Sequence, residues 1–164
     1  MLIIDTSQKN GVCALYQEGL GFEKIFFDAQ NQQKVLIPSI DSLVQGKTLT
    51  HIAICIGPGS FTGTRIGVMT GKTLAYAQNL PLIPFNSLIP FHTPNTLTLL
   101  DAKHGLCFLF DGHSLEKVPY SSFEKTTLPL FSPYPETIPL PTKQALHSLE
   151  KIITLSPATP TLIY

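Results

Sequence analysis

The chain has 164 residues and a formal net charge of zero, with 43% hydrophobic and only 13% charged residues. Roughly a quarter charged is usual for a soluble domain, so part of this surface lies against a partner or the chain is simply a compact, proline-rich domain. Ten lysines are scattered and Arg65 is the single arginine, so no basic run exists to neutralise a row of phosphates; independent binding of nucleic acid is excluded on that ground.

No apolar stretch reaches the roughly 18 residues that cross a bilayer. The opening Met1-Leu2-Ile3-Ile4-Asp5 has no positive flank and turns acidic at once, unlike a secretory leader. Cys13, Cys55 and Cys107 are far apart, each inside an apolar run and without CxxC spacing. They read as reduced, buried small hydrophobes of a cytoplasmic protein.

In chain order, Leu2 to Asp5, Gly11 to Tyr16 and Gly21 to Phe27 are apolar runs parted by short loops, which predicts a three-stranded meander. Over residues 29–44, Val35, Leu36, Ile40, Leu43 and Val44 fall at helical spacing. Gly46 ends that helix, and Pro38 starts its well-formed part or bends it. His51 to Gly57 is a continuous apolar run, as in a strand covered on both faces. A Gly-Pro-Gly loop follows, then a long helix over residues 62–79 stopped by Leu80-Pro81, and a short strand over 81–84.

The second part echoes the first. Thr98-Leu99-Leu100-Asp101 resembles Leu2-Ile3-Ile4-Asp5, and Gly105 to Phe110 resembles Gly11 to Tyr16. Two related subdomains follow from this, each opening on a hairpin with an Asp at its first turn. After Tyr120, Pro129, Pro133, Pro135, Pro139 and Pro141 exclude a long helix, and residues 142–153 are the last predicted helix, with Thr142 as its cap.

A carboxylate ending a buried strand can hold Mg²⁺ through water while the following turn approaches phosphate. Asp5 with Thr6 and Ser7, together with Asp101, are therefore candidate nucleotide ligands; equally, each Asp only closes its own turn through a side-chain hydrogen bond. The loop from Gly57 to Gly63 leads into a helix N-terminus, but lacks the GK[ST] of a P-loop and the spacing of GxGxxG. A structural turn capped by Ser60 or Thr62 accounts for it.

Gly63, Gly67, Gly71 and Ala75 are spaced by four on one stripe of the long helix. Each helical glycine costs about 1 kcal/mol relative to alanine, so something presses close there. With Ile66, Met69, Leu74 and Ala77 packed inward, the stripe is left for a second helix, from residues 29–44 or from another chain. The alternative is close packing on the helix's own sheet. Arg65, in the first turn, stands against the helix dipole: it either meets a partner carboxylate or is simply an exposed side chain. No catalytic constellation emerges: the five histidines have no ligand spacing, and no Gly-x-Ser-x-Gly elbow is present.

Three segments together, Ile3-Ile4-Asp5-Thr6-Ser7, the run Gly57-Pro58-Gly59-Ser60-Phe61-Thr62-Gly63-Thr64-Arg65-Ile66-Gly67, and Leu99-Leu100-Asp101-Ala102 with Leu106 to Phe110, resemble the TsaB (YeaZ-like) family. The resemblance implies an α/β, actin-like (ribonuclease H-like) fold with subdomains 1–95 and 96–164, the second reduced. It implies a non-catalytic scaffold that binds TsaD, alongside TsaE and TsaC, for threonylcarbamoylation of adenosine 37 in tRNA, and that can form a homodimer.

The implied interface lies on the two helices of the first subdomain: Leu36, Ile40, Thr62, Gly63, Arg65, Ile66, Gly67, Thr70, Gly71 and Ala75. No cofactor is implied beyond ATP or ADP with Mg²⁺ at a partner interface. A small ATPase or kinase using Asp5 and Asp101 is the competing reading, and a peptidase finds no residues here. Gln32, Gln33 and Lys34 stand where the family has a His-Ser-Glu-like helix start, and the chain is shorter than most members, with the loss in the second subdomain.

Overall fold

The computed structural model describes residues 1–123 and 126–133. The chain divides into two compact units, Met1–Ser87 and Leu88–Tyr164. The boundary expected at residues 95 and 96 therefore falls earlier, because Leu88, fully buried, packs with Leu100 and Phe110 of the second unit.

The first unit runs β1 (Leu2–Asp5), β2 (Asn10–Gln17), β3 (Gly21–Asp28), a 3-10 turn (Ala29–Asn31), α1 (Gln32–Val44), β4 (Ile52–Cys55), α2 (Phe61–Gln78) and β5 (Leu82–Phe85). The sheet order is β3-β2-β1-β4-β5, with β1–β2–β3 antiparallel and β1–β4–β5 parallel. A parallel strand between neighbours is covered on both faces and reads as an unbroken apolar run; all four residues of β4 are buried. On the edge strand β3, Ile25 and Phe27 pack on the core while Phe26 is exposed, the alternation of a half-covered strand.

Leu2, Ile4, Cys13, Leu15, Ile52 and Ile54 share one face of this sheet. They form one core with Leu36, Ile40 and Leu43 of α1 and Ala75 of α2, so both helices lie on that face. Pro38 is internal to α1 and neither starts nor ends it. It removes the hydrogen bond to the Lys34 carbonyl, and both residues are on the exposed side of the helix. The helix closes at Val44, with Gly46 at φ +71° in the turn that follows. Ser60 caps α2 by accepting the Gly63 N–H at 3.1 Å, and Asn79 ends it in the left-handed region, φ 52°.

The second unit holds β6 (Leu97–Asp101), β7 (Leu106–Phe110), β8 (Leu115–Pro119), a 3-10 turn (Tyr120–Phe123) and β9 (Leu130–Phe131). Its sheet order, β8-β7-β6-β9 with β6 and β9 parallel, repeats β3-β2-β1-β4. The sequence echo is thus a repeat of topology. The register is not copied: Cys13 faces Ile4, whereas Cys107 faces Asp101, because the second hairpin has the shorter turn. That turn places Lys103, His104 and Gly105 in succession at positive φ, 65°, 55° and 76°. The helix expected over residues 142–153, its cap Thr142, and Pro135, Pro139 and Pro141 lie outside the described residues.

Candidate functional site

The turn after β1 and the loop after β4 form one hydrogen-bonded unit. Asp5 Oδ1 accepts both the Ser7 N–H (2.8 Å) and the Ser7 hydroxyl (2.7 Å). The Cys55 thiol donates to Ser7 Oγ at 3.4 Å and accepts the Gly57 N–H. Gln8 Nε2 and the Ser87 hydroxyl both donate to the Pro58 carbonyl, and the Ser60 N–H donates to the Ser7 carbonyl at 2.6 Å. Gly59 is required here: a Cβ on it would run into the Ser7 carbonyl. Thr6 and Ser7 are each 1% exposed. Their hydroxyls serve protein partners, so of the candidate nucleotide ligands in this turn only Asp5 is partly open to solvent. Burial, then the neighbouring Asp5 charge, pushes the Cys55 thiol up to about 12. It is a closed structural group rather than a nucleophile.

Asp101 ends β6 as Asp5 ends β1, but its surroundings differ. Oδ1 accepts the Lys103 N–H and the Tyr120 hydroxyl, each at 3.1 Å, and Oδ2 meets Lys103 Nζ at 3.0 Å. Burial raises this carboxyl, but Lys103 and the Tyr120 hydroxyl outweigh it and hold Asp101 below its ordinary value. The positive charge beside Asp101 comes from the chain itself, and a divalent cation would have to displace it. Among the described residues, no group of three or more His, Cys, Asp or Glu side chains is arranged for a metal.

The glycine stripe of α2 faces the sheet, contrary to the expectation that it faces a second helix. Gly63, Gly67, Gly71 and Ala75 are the buried residues of the helix. A Cβ at Gly63 would strike the Thr6 carbonyl, one at Gly67 the Thr6 hydroxyl, and one at Gly71 the Ile54 side chain. The absent side chains let α2 descend onto the ends of β1 and β4. Leu36 and Ile40, also expected at the interface, are 2% and 4% exposed and belong to the core. Of the expected contact residues, Thr62 and Arg65 are exposed, and Ile66 and Thr70 are half-buried. Gln32 is buried beside Gly63, so the altered start of α1 leaves only Gln33 and Lys34 at the surface.

With the stripe inward, the opposite face of α2 turns out. Phe61, Met69 and Tyr76 are 69%, 64% and 92% exposed, and Arg65 and Lys72 lie between them. At 3.6 residues per turn these five positions fall within an arc of about 80°. Met69 and Ala77, expected inside, are exposed. The 61-65-69-72-76 spacing is the signal that marks this face, and the glycine stripe obscured it. Arg65 stacks its guanidinium on the Phe61 ring, 3.7 Å from the centroid. On α1, Ile37 is likewise 55% exposed.

Residues 29–147 match the family model of TsaD, tRNA N6-adenosine threonylcarbamoyltransferase. The tRNA threonylcarbamoyladenosine biosynthesis protein TsaB of Bacillus subtilis is 34% identical over 94 residues, covering 54% of this chain and 41% of that protein. The chain thus spans about two fifths of the length of this relative. A tRNA N6-adenosine threonylcarbamoyltransferase of Lacticaseibacillus casei is 50% identical over 40 residues, 24% of this chain and 12% of its own length. Among solved structures, YeaZ from Pseudomonas aeruginosa superposes with a TM-score of 0.64 at 21% identity, covering 85% of this chain and 79% of that one, and carries the same fold. The actin-like architecture, the family model and these relatives agree: the chain belongs to the TsaD family, with the TsaB (YeaZ) proteins.

Proposed function

We propose that this chain is a non-catalytic accessory subunit of the machinery that threonylcarbamoylates adenosine 37 of tRNA, acting in the cytoplasm by binding a TsaD-like protein. TsaE-like and TsaC-like proteins act in the same pathway. The observation that carries this reading is the outer face of α2: Phe61, Met69 and Tyr76 stand out on one stripe, where three large apolar groups contribute nothing to their own core. The name of the Bacillus subtilis relative supplies the pathway. The interface assignment moves with the corrected orientation of α2, from the glycine stripe to Phe61, Arg65, Met69 and Tyr76.

An accessory role also accords with the two aspartates. The Thr6 hydroxyl is committed to α2 and the Ser7 hydroxyl to Asp5, and Asp101 is paired with Lys103. A homodimer through the same face would compete with the TsaD-like partner.

Light scattering of the purified chain, alone and mixed with the TsaD-like protein of the same organism, tests the reading. A complex should form, and Met69→Lys and Tyr76→Glu should abolish it while leaving circular dichroism and melting temperature unchanged. Absence of a complex with the unaltered chain sinks the proposal. Calorimetry of the isolated chain with Mg-ATP should give no saturable heat; saturable heat lost on Asp5→Ala would instead favour a small actin-like ATPase.

A further inference from the structure

The outer edge of β3 is open and carries a self-complementary pattern. β3 ends the order β3-β2-β1-β4-β5, and among the described residues no strand pairs with its far side. Tyr16 exchanges both main-chain hydrogen bonds with Met1, at 2.8 and 2.9 Å, so the even-numbered residues of β2 bond to β1 and the odd-numbered ones to β3. Cys13 faces Ile25 and Gly11 faces Phe27 in the β2–β3 ladder. The main-chain groups of Ile25 and Phe27 are therefore used inside the sheet, and those of Lys24, Phe26 and Asp28 point outward. Phe26 is 57% exposed, and Lys24 and Asp28 are exposed on either side of it. A charge on an edge strand commonly keeps it single, but an exposed aromatic ring between two opposite charges does not serve that end.

We infer that β3 pairs antiparallel with β3 of a second copy, about a two-fold axis at Phe26. An axis perpendicular to the sheet passes through one residue, which then faces itself. With Phe26 on the axis, the two Phe26 rings meet, Lys24 of each copy meets Asp28 of the other, and Ile25 meets Phe27. With Lys24 on the axis, two lysines would face each other; with Ile25 there, Lys24 would face Phe26 and Phe22 would face Asp28. Of these registers, the one at Phe26 pairs opposite charges and apolar groups throughout. Its Phe26–Phe26 and Lys24–Asp28 pairs are main-chain bonded, giving roughly six hydrogen bonds across the axis. Ile25 and Phe27, packed on the core of their own unit, continue it across the junction. This contact is independent of the functional reading above and does not use the outer face of α2.

Sedimentation equilibrium of the full chain over about a hundredfold range of concentration tests it, and a monomer–dimer equilibrium is expected. Phe26→Pro removes the ring and the central outward N–H without touching the bonds to β2, and should weaken the dimer at least about tenfold. Lys24→Asp and Asp28→Lys should each be monomeric, because like charges then face one another, whereas an equimolar mixture of the two should recover the dimer. Phe26→Cys should form an interchain disulfide under mild oxidation, since the Cα atoms of a bonded pair lie about 5.5 Å apart. A chain that stays monomeric throughout overturns the inference, as does a dimer unaffected by Phe26→Pro. If the two charge variants, folded by circular dichroism, stay monomeric when mixed, the register is wrong and the inference falls. Dimerisation abolished by Met69→Lys but not by Phe26→Pro places the contact on α2 and overturns it too.

Discussion

Thr6 and Gly63 touch at two points: the Thr6 hydroxyl donates a 2.7 Å hydrogen bond to the Gly63 carbonyl, and the Thr6 carbonyl occupies the space where a Gly63 side chain would begin. This pair ties the end of β1 to the first turn of α2. Gly63→Ala should therefore cost about 1–3 kcal/mol, because backbone has to move. Thr6→Val should cost about 0.5–1.5 kcal/mol by removing this hydrogen bond, the Gly63 carbonyl keeping its helical N–H donor. Urea unfolding of the chain measures both. A neutral Gly63→Ala would mean that α2 does not descend onto β1.

The two faces of the helical layer separate cleanly by stability. Leu36→Ala should lower the unfolding free energy by about 2–5 kcal/mol, since Leu36 is 2% exposed in the core. Tyr76→Ala and Met69→Ala should stay within about 0.5 kcal/mol of the parent. If Tyr76→Ala proved as damaging as Leu36→Ala, the outer face would have a structural role.

His104 follows Lys103 in the left-handed region, φ 55° after 65°, conformations that cost a non-glycine residue roughly 1–2 kcal/mol. His104→Gly should relieve that strain and, after the added flexibility of the unfolded chain, stabilise the second unit by about 0.5 kcal/mol. Lys103→Gly should gain less, because it also removes the contact to Asp101. Thermal melts of both variants give the difference.

Asp101 makes the second unit sensitive to acid. Its folded-state value lies below the ordinary carboxylate value of about 3.9, so its contribution is complete above that pH and is lost as pH falls through the lower folded value. Asp101→Asn should melt below the parent at pH 6, and the gap should close towards pH 2. A gap constant across that range would show that the carboxylate charge contributes nothing.

Burial raises the thiols of Cys13 and Cys107 to about 11 and that of Cys55 to about 12. At pH 8 all three are protonated and covered, so a thiol-reactive dye should label the native chain at least about 100-fold more slowly than the urea-unfolded chain. Rapid labelling of one thiol in the native state would place that residue at the surface.

Strand and helix positions were legible along the chain because periodicity reports burial locally. Leu2 to Asp5, the apolar run His51 to Gly57 and the echo at Thr98 to Phe110 each contain strands of the two sheets. The close approach to α2 was also legible, since three glycines at a spacing of four have no other economy. What presses against them was not. A stripe of small residues is equally compatible with the helix's own sheet and with a neighbouring helix, and only the fold brings the Thr6 carbonyl and the Ile54 side chain to that stripe. Likewise, Asp5 and Asp101 look alike in sequence. Their environments part because one hairpin brings Ser7 under its carboxylate while the other, with a shorter turn, brings Lys103, and the 3-10 turn after β8 adds the Tyr120 hydroxyl. By itself the sequence determined the strands and helices of the first unit, the first hairpin of the second, their repeat and the family, but not β8 or β9; tertiary structure decided which face of α2 is core and which is surface, because direction across a helix depends on what the rest of the chain packs beneath it.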